Sequence, residues 1–276
     1  MKLPAANGFE SSILKEVIYS NRSLVPRQAA GVRSLLDSTM VTRSTCCALS
    51  CTVWAKCAIL CAEGVDRRSG NVHAMKTSIN IVLVDFGGVL AEEGFREGLR
   101  EIAKQNGLDP DRFYADADRI IAETGYLTGQ ASEGDFWSAV RDQTGIRGAD
   151  SDLRREILRR FVLHPFMLAW VDHVRDSGRF VAILSDQTNW LDEIDEKTDL
   201  YSHFDAVFNS FHVHKSKRDA SLFRDVCSSL GEAPACVLFI DDNRQHIDRA
   251  SGAGLKTFLY TNQEDFERKI ARSLVP

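Results

Sequence analysis

The sequence predicts an α/β fold built on a doubly wound, three-layer parallel sheet, and short apolar segments separated by helical patterns carry that prediction. Three segments are rich in β-branched or aliphatic residues, as strands buried on both faces of a sheet usually are: Ile79–Leu90, Phe180–Leu184 and Ala235–Ile240. Two further strands are predicted at Ala206–Phe208 and Lys256–Leu259. Helical patterns alternate with these strands after position 165, and such alternation is typical of a doubly wound sheet.

Glycines mark the ends of several helices in this second half of the chain. We expect helices at about residues 165–177, 190–196, 220–230 and 245–253, and a last amphipathic helix after the final strand. Gly178, Gly231 and Gly254 follow three of them, where the left-handed conformation that closes a helix favours glycine.

The segment between the first two strands, residues 91–163, contains helical patterns and no strand pattern. Asp109 and Pro110 predict the start of one helix, because aspartate caps helices and proline is tolerated in their first turn. Ser132, with Asp135 three residues later, predicts a second start, and Gly145 ends that helix. A third helix is expected at about residues 151–161. The sequence therefore predicts a small all-helical cap inserted after the first strand.

Residues 1–75 show no sustained period of either kind, and we predict a leader or an extension upstream of the folded domain. The segment is rich in Arg and Ser, as transit-type leaders are, but Glu10, Glu16 and Asp37 argue against a leader. We favour Met75 as the natural start, because it lies immediately before the first strand. A metal cluster is an alternative for the cysteines of this segment, although no His or acidic partners accompany them at a zinc-finger spacing: Cys46, Cys47, Cys51, Cys57 and Cys61.

These patterns divide the chain into three parts. We predict an extension over residues 1–75, a core made of residues 76–90 and 164–276, and a helical cap over residues 91–163. Trp137, Trp170 and Trp190 are expected to pack in the core or the cap.

Composition favours small molecules as partners. The formal net charge is −5 and the isoelectric point is near 5.8, whereas binding to duplex nucleic acid usually needs a basic face. The longest apolar candidate, residues 46–62, is interrupted by Lys56, so we predict no membrane span. Cys227 and Cys236 are isolated, which favours a reducing compartment and a cytoplasmic location.

Polar residues follow the three strongest strands. Asp85 lies near the end of the first, Ser185 follows the second, and Asp241 and Asp242 follow the third. Ligands bind outside the carboxyl ends of parallel strands, so this arrangement predicts an active site and therefore an enzyme.

The order of these residues resembles the four motifs of the haloacid dehalogenase-like (HAD) hydrolases. Asp-x-Gly-Gly-Val-Leu begins at Asp85, Leu-Ser-x-x-x-x-Trp contains Ser185, and Phe-Ile-Asp-Asp-Asn contains Asp241 and Asp242. Lys217 begins Lys-Arg-Asp-Ala-Ser-Leu-Phe, which stands where the family has Lys-Pro-Asp-Pro-x-Ile-Phe. Four motifs in the right order form a specific signal, and the resemblance implies a HAD-like core.

The resemblance also implies a role for each motif residue. Asp85 would attack phosphorus and form an aspartyl-phosphate. Lys217 would neutralise the negative charge around it, and Ser185 would donate its hydroxyl to a phosphoryl oxygen. The remaining phosphate contacts are expected from three positions beside these motifs: Asp186, Gly87 and Gly88. Both glycines let the backbone come close to the anion and present N–H groups to it.

A cation is implied as well, because a carboxylate that approaches a phosphate dianion is repelled. Mg²⁺ suits this role, since it binds through few carboxylates, waters and substrate oxygens. Its ligands would be Asp85, the backbone carbonyl of Gly87, and Asp242, with Asp241 beside them or as an alternative ligand.

Four positions depart from the family pattern. Related phosphatases usually carry a second aspartate two residues after the nucleophile, where this chain has Gly87. General acid–base help contributes typically ~10²–10⁴ in rate, so Gly87 predicts a slow phosphatase or one restricted to good leaving groups. Asp186 replaces an Asn that often follows the motif-two Ser. His214 and His246 stand near the motifs at unexpected places, and we consider the hypothesis that one supplies the missing proton.

The sequence thus predicts a Mg²⁺-dependent phosphomonoesterase acting on a small phosphorylated metabolite. The alternatives are a 2-haloacid dehalogenase on the same fold and a catalytically degenerate member that serves as a binding or scaffold protein. Substrate choice is expected to lie in two stretches of the predicted cap, at residues 92–96 and 126–132.

Overall fold

A computed structural model describes residues 78–274 of the chain. The predicted extension, the proposed start at Met75 and the cysteine cluster lie outside these residues. Within them, strands and helices follow in an order that we label as follows: β1 Ile81–Val84, α1 Gly94–Gln105, α2 Pro110–Glu123, α3 Glu133–Thr144, α4 Asp150–Leu158, α5 Pro165–Asp176, β2 Phe180–Ser185, α6 Trp190–Thr198, β3 Ala206–Asn209, α7 Ser210–Val213, α8 Ser221–Ser229, β4 Val237–Asp241, α9 Arg244–Gly252, β5 Lys256–Leu259, α10 Gln263–Phe266 and α11 Arg272–Leu274.

The sheet has five parallel strands in the order β3-β2-β1-β4-β5. The predicted doubly wound α/β fold is confirmed, because the chain runs outward from the central β1 to both edges. Side chains of β1 alternate between two hydrophobic clusters: Val82 and Val84 belong to one, and Ile81 and Leu83 to the other. Both faces of the sheet are covered, as a parallel sheet requires.

Strand boundaries differ from the predicted ones at two places. The first apolar run was expected to begin at Ile79 and to bring Asp85 to the tip of its strand; β1 begins at Ile81 and ends at Val84, directly before Asp85. Beyond it the chain turns tightly, since the backbone amides of Leu90 and Ala91 both donate to the carbonyl of Phe86. Pro234 begins a 3₁₀ turn before β4, which shortens that strand at its start. A proline fixes φ and removes a donor, so it cannot continue a strand ladder.

The segment between β1 and β2 is helical throughout, apart from its turns. Asp109 accepts a hydrogen bond from the amide of Arg112 at the start of α2, and Ser132 forms a reciprocal capping box with Asp135 at the start of α3. Both helix starts were predicted. Helix α1 was not predicted as a separate element, and it contacts α2 and α4. The two ends of this helical segment lie side by side, because Ala91 pairs with Leu163.

The three tryptophans are buried, as expected. Trp137, Trp170 and Trp190 are 0%, 5% and 1% exposed. Over the described residues, no helix has the length and apolar character needed to cross a bilayer.

Candidate active site

The parallel register brings the polar ends of three strands to one edge of the sheet. Val84, the last residue of β1, lies beside Ile183 of β2 and Ile240 of β4. The amide of Asp85 continues the ladder by donating to the carbonyl of Ile240 over 2.9 Å. The residues that follow these strands therefore meet, and Ser185 contacts Asp85 directly.

Three donors converge on one oxygen of Asp85. Its Oδ1 accepts hydrogen bonds from the Ser185 hydroxyl at 2.7 Å and from the Phe86 amide at 2.7 Å. The ammonium of Lys217 lies 2.8 Å from the same oxygen. Each of these contacts falls on Oδ1, so within residues 78–274 they leave Oδ2 open. The predicted motif residues Asp85, Ser185 and Lys217 thus share one small site.

Lys217 is held from both sides, although it is almost completely buried. Its ammonium donates to Oδ2 of Asp241 over 2.7 Å, and its backbone amide donates to Oδ1 of Asp186 over 2.8 Å. The side chains of Lys217 and Asp241 are 1% and 0% exposed. Asp186 was expected to contact phosphate, and here its carboxylate fixes the loop that carries Lys217. A contact of Asp186 with phosphate stays a prediction.

Three donors contact the carboxylate of Asp241. Besides Lys217, Nδ1 of His246 donates to Oδ2 at 3.2 Å, and the amide of Asn243 donates to Oδ1 at 2.7 Å. Burial opposes ionisation of Asp241, yet Lys217 and His246 outweigh it and hold the pKa of Asp241 below its usual range. Asp241 is therefore an ionised partner of Lys217, and its oxygens are already engaged.

The other acids of the site ionise less readily. Burial raises the pKa of Asp85 well above its ordinary value, although Lys217 opposes this effect. Burial also raises the pKa of Asp242, and the negative charge of Asp241 adds to that effect. For Lys217, burial lowers the pKa, but the carboxylates of Asp241 and Asp85 reverse this and raise it above the ordinary range. The site holds more negative charge than Lys217 alone can balance.

Gly88 allows Asp242 to reach the site. Its backbone is left-handed, with φ of +75°, and a Cβ atom built on it would lie only 2.2 Å from Oδ2 of Asp242. Any side chain at this position would displace the Asp242 carboxylate, so the second glycine of the predicted motif has a steric reason. Asp242 and Asp85 line the same cavity.

The two histidines considered from the sequence occupy different places. His246 lines the cavity and is attached to Asp241. His214 is exposed, and its Nδ1 lies 2.8 Å from the carbonyl of Thr128. Its φ of +54° is left-handed, a backbone conformation that favours glycine. The hypothesis that one of them supplies a proton stays a prediction.

A cavity of about 650 Å³ opens above these residues. Its floor is made of the strand-end acids and Lys217. Its opposite side comes from the helical segment, which contributes an aromatic and aliphatic wall of four side chains: Phe95, Tyr114, Ile121 and Leu127. Arg218, the neighbour of Lys217, donates to both carboxylate oxygens of Asp118 on α2, each at 2.9 Å. This ion pair bridges the helical segment and the Lys217 loop at the cavity.

Sequence reasoning missed one acid in this cavity, Glu93. It is the residue before α1, and its Oε1 lies 2.9 Å from the position of a Cβ atom built on Gly87. Burial raises the pKa of Glu93 to about 7, with opposition from Arg96 and support from Asp242. Two features of the sequence could have identified Glu93 as a residue of the site. It lies only eight residues after Asp85, and it falls within residues 92–96, where substrate choice was expected. Of that stretch, residues 94–96 form the start of α1 rather than a loop.

The donor set fits a divalent cation. Asp85 and Asp242 line the same cavity; burial raises the pKa of both, and neighbouring carboxylates add to the effect, Asp241 and Asp242 for Asp85 and Asp241 for Asp242. Hard cations such as Mg²⁺ prefer such oxygen ligands, and a double positive charge would relieve the repulsion. Asp85, Asp241 and His246 also offer ligand atoms within 4.8 Å of one another. Asp241 is the weaker candidate of the three, because Lys217 and Asn243 already use its oxygens.

Comparisons with known proteins agree with this fold. A sequence profile of the haloacid dehalogenase-like hydrolase family matches residues 79–254. The HAD family enzyme BT-2542 from Bacteroides thetaiotaomicron, in complex with magnesium and inorganic phosphate, has a TM-score of 0.57 and 21% identity over 70% of this chain and 100% of that chain. The L-2-haloacid dehalogenase from Xanthobacter autotrophicus, with chloropropionic acid covalently bound, has a TM-score of 0.51 and 18% identity over 72% of this chain and 85% of that chain.

A curated relative matches over a shorter stretch. Drimenol cyclase drtB from Aspergillus calidoustus is 30% identical over 74 residues, which are 27% of this chain and 14% of that enzyme. The chain therefore matches only a small part of that protein's length. The structural likenesses, at these identities, show a shared fold. Because the family profile covers residues 79–254, well over half of the chain, this chain belongs to the haloacid dehalogenase-like hydrolase family.

Proposed function

We propose that the chain is a Mg²⁺-dependent phosphomonoesterase that works through an aspartyl-phosphate on Asp85. The observation that carries the proposal is the position of Lys217, whose ammonium lies within 2.8 Å of Asp85 and 2.7 Å of Asp241 in a nearly sealed site. A fixed positive charge beside a buried carboxylate lowers the repulsion that an incoming phosphate dianion would meet.

Each residue of the site has a task in this reaction. Asp85 attacks phosphorus through Oδ2, the oxygen that the three donors leave open. Those donors hold the carboxyl group in one orientation, which favours in-line attack. Asp85 and Asp242 would hold Mg²⁺, which when bound supplies positive charge to the phosphate oxygens and to the attacking carboxylate. Ser185 can turn its hydroxyl from Asp85 to a phosphoryl oxygen once the aspartyl-phosphate has formed.

The helical segment acts as a substrate-selecting cap in this proposal. It presents Phe95, Tyr114, Ile121 and Leu127 to the cavity opposite the charged floor. A ligand with a phosphate at one end and a partly apolar body would satisfy both sides. The division into a core, residues 76–90 and 164–276, and a cap, residues 91–163, belongs to this proposal, as does a small-molecule substrate in the cytoplasm.

Dehalogenation is the competing reaction, because a dehalogenase shares the fold. There the aspartate would attack carbon without a metal, and the substrate would carry its own carboxylate. The acids of this site disfavour a substrate that carries a carboxylate, since Asp85, Asp241 and Asp242 outnumber the single ammonium of Lys217. Electrostatic repulsion at this edge of the sheet needs a cation before any anion can bind.

One experiment separates the candidates. Hydrolysis of p-nitrophenyl phosphate is measured with Mg²⁺ and with EDTA, beside chloride release from 2-chloropropionate, for the wild type and for Asp85→Asn. The proposal expects metal-dependent phosphate release that falls by more than about a thousandfold in the variant. Chloride release that ignores EDTA would establish dehalogenation instead, and no turnover in either assay would favour a binding or scaffold protein.

A further inference from the structure

Motif one of this chain lacks a proton-transfer group where related phosphatases carry one. The position two residues after Asp85 is Gly87, and glycine has no side chain to donate or accept a proton. Expulsion of an alkoxide from a phosphate ester needs a proton on the leaving oxygen, and hydrolysis of the aspartyl-phosphate needs a base for water. If the chain is the proposed phosphatase, on which this inference rests, another side chain has to do this work.

The carboxyl group of Glu93 occupies the space that Gly87 leaves empty. Its Oε1 lies 2.9 Å from the place where a Cβ atom of residue 87 would stand, and its Cδ lies 3.8 Å from that place. Glu93 directly precedes α1, two residues after Ala91, which pairs with Gly87, and it lines the cavity together with Asp85. A carboxyl group is therefore present beside the nucleophile, although it arises from another part of the chain.

Neither helix capping nor a close ion pair explains why Glu93 occupies this position. It precedes α1, but its side chain makes no capping hydrogen bond. Its ion pair with Arg96 is loose, with 3.9 Å between Nε and Oε2, and the Glu93 side chain is 22% exposed. A carboxyl group that neither caps a helix nor closes a tight ion pair is free to exchange a proton with a ligand in the cavity.

We propose that Glu93 is the general acid and base that motif one lacks. In the first step, Asp85 forms a bond to phosphorus, the bond from phosphorus to the leaving oxygen breaks, and the Glu93 carboxyl gives its proton to that oxygen. In the second step, water attacks phosphorus and gives its proton to the Glu93 carboxylate, and the bond between phosphorus and Asp85 breaks. Inorganic phosphate leaves, and both side chains return to their starting forms.

Two other acid–base groups that line the cavity are attached to Lys217 or to its partner. His246 donates Nδ1 to Asp241, which is itself the partner of Lys217. Asp186 accepts the backbone amide of Lys217. Glu93, in contrast, has a carboxylate oxygen beside Gly87, where the motif-one acid is missing.

Glu93→Gln tests the proposal through its dependence on the leaving group. A nitrophenolate leaves readily without a proton, whereas an alkoxide does not, so the variant should lose far more kcat/KM with glycerol phosphate than with p-nitrophenyl phosphate. We expect a loss of about a hundredfold or more with the alkyl ester. The matched control is Glu97→Gln, which removes an acid from the first turn of α1, where the side chain is 49% exposed, and should keep the wild-type ratio of the two rates.

A second readout follows the intermediate rather than turnover. With p-nitrophenyl phosphate, Glu93→Gln should release nitrophenol in a burst and accumulate phosphate on Asp85, because the step that needs a base is slowed. Mass spectrometry of acid-quenched protein detects this adduct. Calorimetric titration with Mg²⁺ completes the set, and it should give the same affinity for the variant and the wild type.

A rescue experiment uses the space over Gly87. Gly87→Asp in a Glu93→Ala background places a carboxyl group at the motif-one position and removes the Oε1 atom that its Cβ would meet at 2.9 Å. This double variant should recover turnover of glycerol phosphate relative to Glu93→Ala alone. The proposal is overturned by an equal loss with both esters, by weakened Mg²⁺ binding without an adduct, or by failure of the rescue. If the wild type itself shows no Asp85-dependent turnover, the proposed function fails, and this inference fails with it.

Discussion

The ammonium of Lys217 lies 2.7 Å from Oδ2 of Asp241, and both side chains are sealed from solvent. A buried ion pair is weak evidence of stability, but removal of one partner leaves an uncompensated charge. Lys217→Met should therefore lower the free energy of unfolding by roughly 3–5 kcal/mol, as measured by urea denaturation.

Lys215→Met is the matched control for this prediction. Lys215 binds Asp225 at 2.6 Å, but these side chains are 24% and 46% exposed. Loss of such a pair should cost only about 0.2–1 kcal/mol. Equal losses in the two variants would show that burial of Lys217 is not what makes its contacts important.

Gly88→Ala should impair the site through Asp242. The alanine Cβ would lie 2.2 Å from Oδ2 of Asp242, so this carboxylate has to move. Gly107→Ala is the control, because its φ of +67° is also left-handed and its Cβ would meet nothing within 4 Å. Each variant should lose about 1–2 kcal/mol of stability from backbone strain. Only Gly88→Ala should also lose Mg²⁺ affinity, as measured by calorimetry, and equal Mg²⁺ affinities would contradict this account.

Mg²⁺ should stabilise the folded chain through Asp242. A ligand that binds only the native state adds RT ln(1 + [L]/Kd), which is about 2.7 kcal/mol at a hundredfold excess over Kd. The melting temperature of the wild type should rise with Mg²⁺, and that of Asp242→Asn should rise much less. Asp248→Asn, on the exposed side of α9, should respond as the wild type does. A full response in Asp242→Asn would exclude Asp242 as a ligand.

Glu93 should make stability depend on pH. Burial raises its pKa from the ordinary 4.5 to about 7, so the folded state holds a proton that the unfolded state has released. The resulting stability is complete below about pH 4.5 and is lost as pH rises through 7. Glutamine does not titrate, so Glu93→Gln should not lose this stability. In EDTA, the free energy of unfolding of the variant minus that of the wild type should therefore increase by up to about 3 kcal/mol between these pH values.

Glu97→Gln serves as the control for that pH series. Its carboxylate is about half exposed, with 49% of the side chain accessible. We expect a much smaller change relative to the wild type, because solvent screens an exposed charge. A difference between Glu93→Gln and the wild type that stays constant from pH 4.5 to 8 would mean that Glu93 is not desolvated in solution.

The pair of Asp118 and Arg218 should affect substrate binding more than stability. Both side chains are 42% exposed, so Asp118→Asn should change the free energy of unfolding by less than about 1 kcal/mol. The pair joins α2 to the loop of Lys217 at the cavity, and its loss should raise KM several-fold while kcat changes little. High salt should raise KM of the wild type in the same direction. An unchanged KM would remove this pair from any role in closing the cavity.

Much of the fold and the motif positions could be predicted from local sequence. Short apolar runs such as Phe180–Leu184 are buried on both faces, and glycine marks like Gly145 end helices by a backbone preference. The ends of parallel strands meet at one edge, so Asp85, Ser185 and Asp241 could be placed together from their order alone. The starts of strands were predicted less well: β1 begins at Ile81 and β4 at Val237, each two residues later than expected, because an apolar pattern does not show where the ladder hydrogen bonds begin.

Other features depended on contacts made in the folded chain. The position of Glu93 beside Gly87 depends on the turn in which Gly87 pairs with Ala91 and the amide of Gly88 donates to the carbonyl of Ala91, two residues before Glu93. Asp186 and Asp241 were both expected near the ligand, but the fold turns one toward the backbone of Lys217 and the other toward its ammonium. Periodicity reports which residues are buried, because burial repeats along an element. Which side chains then meet is set by packing between elements, and local sequence carries no record of it.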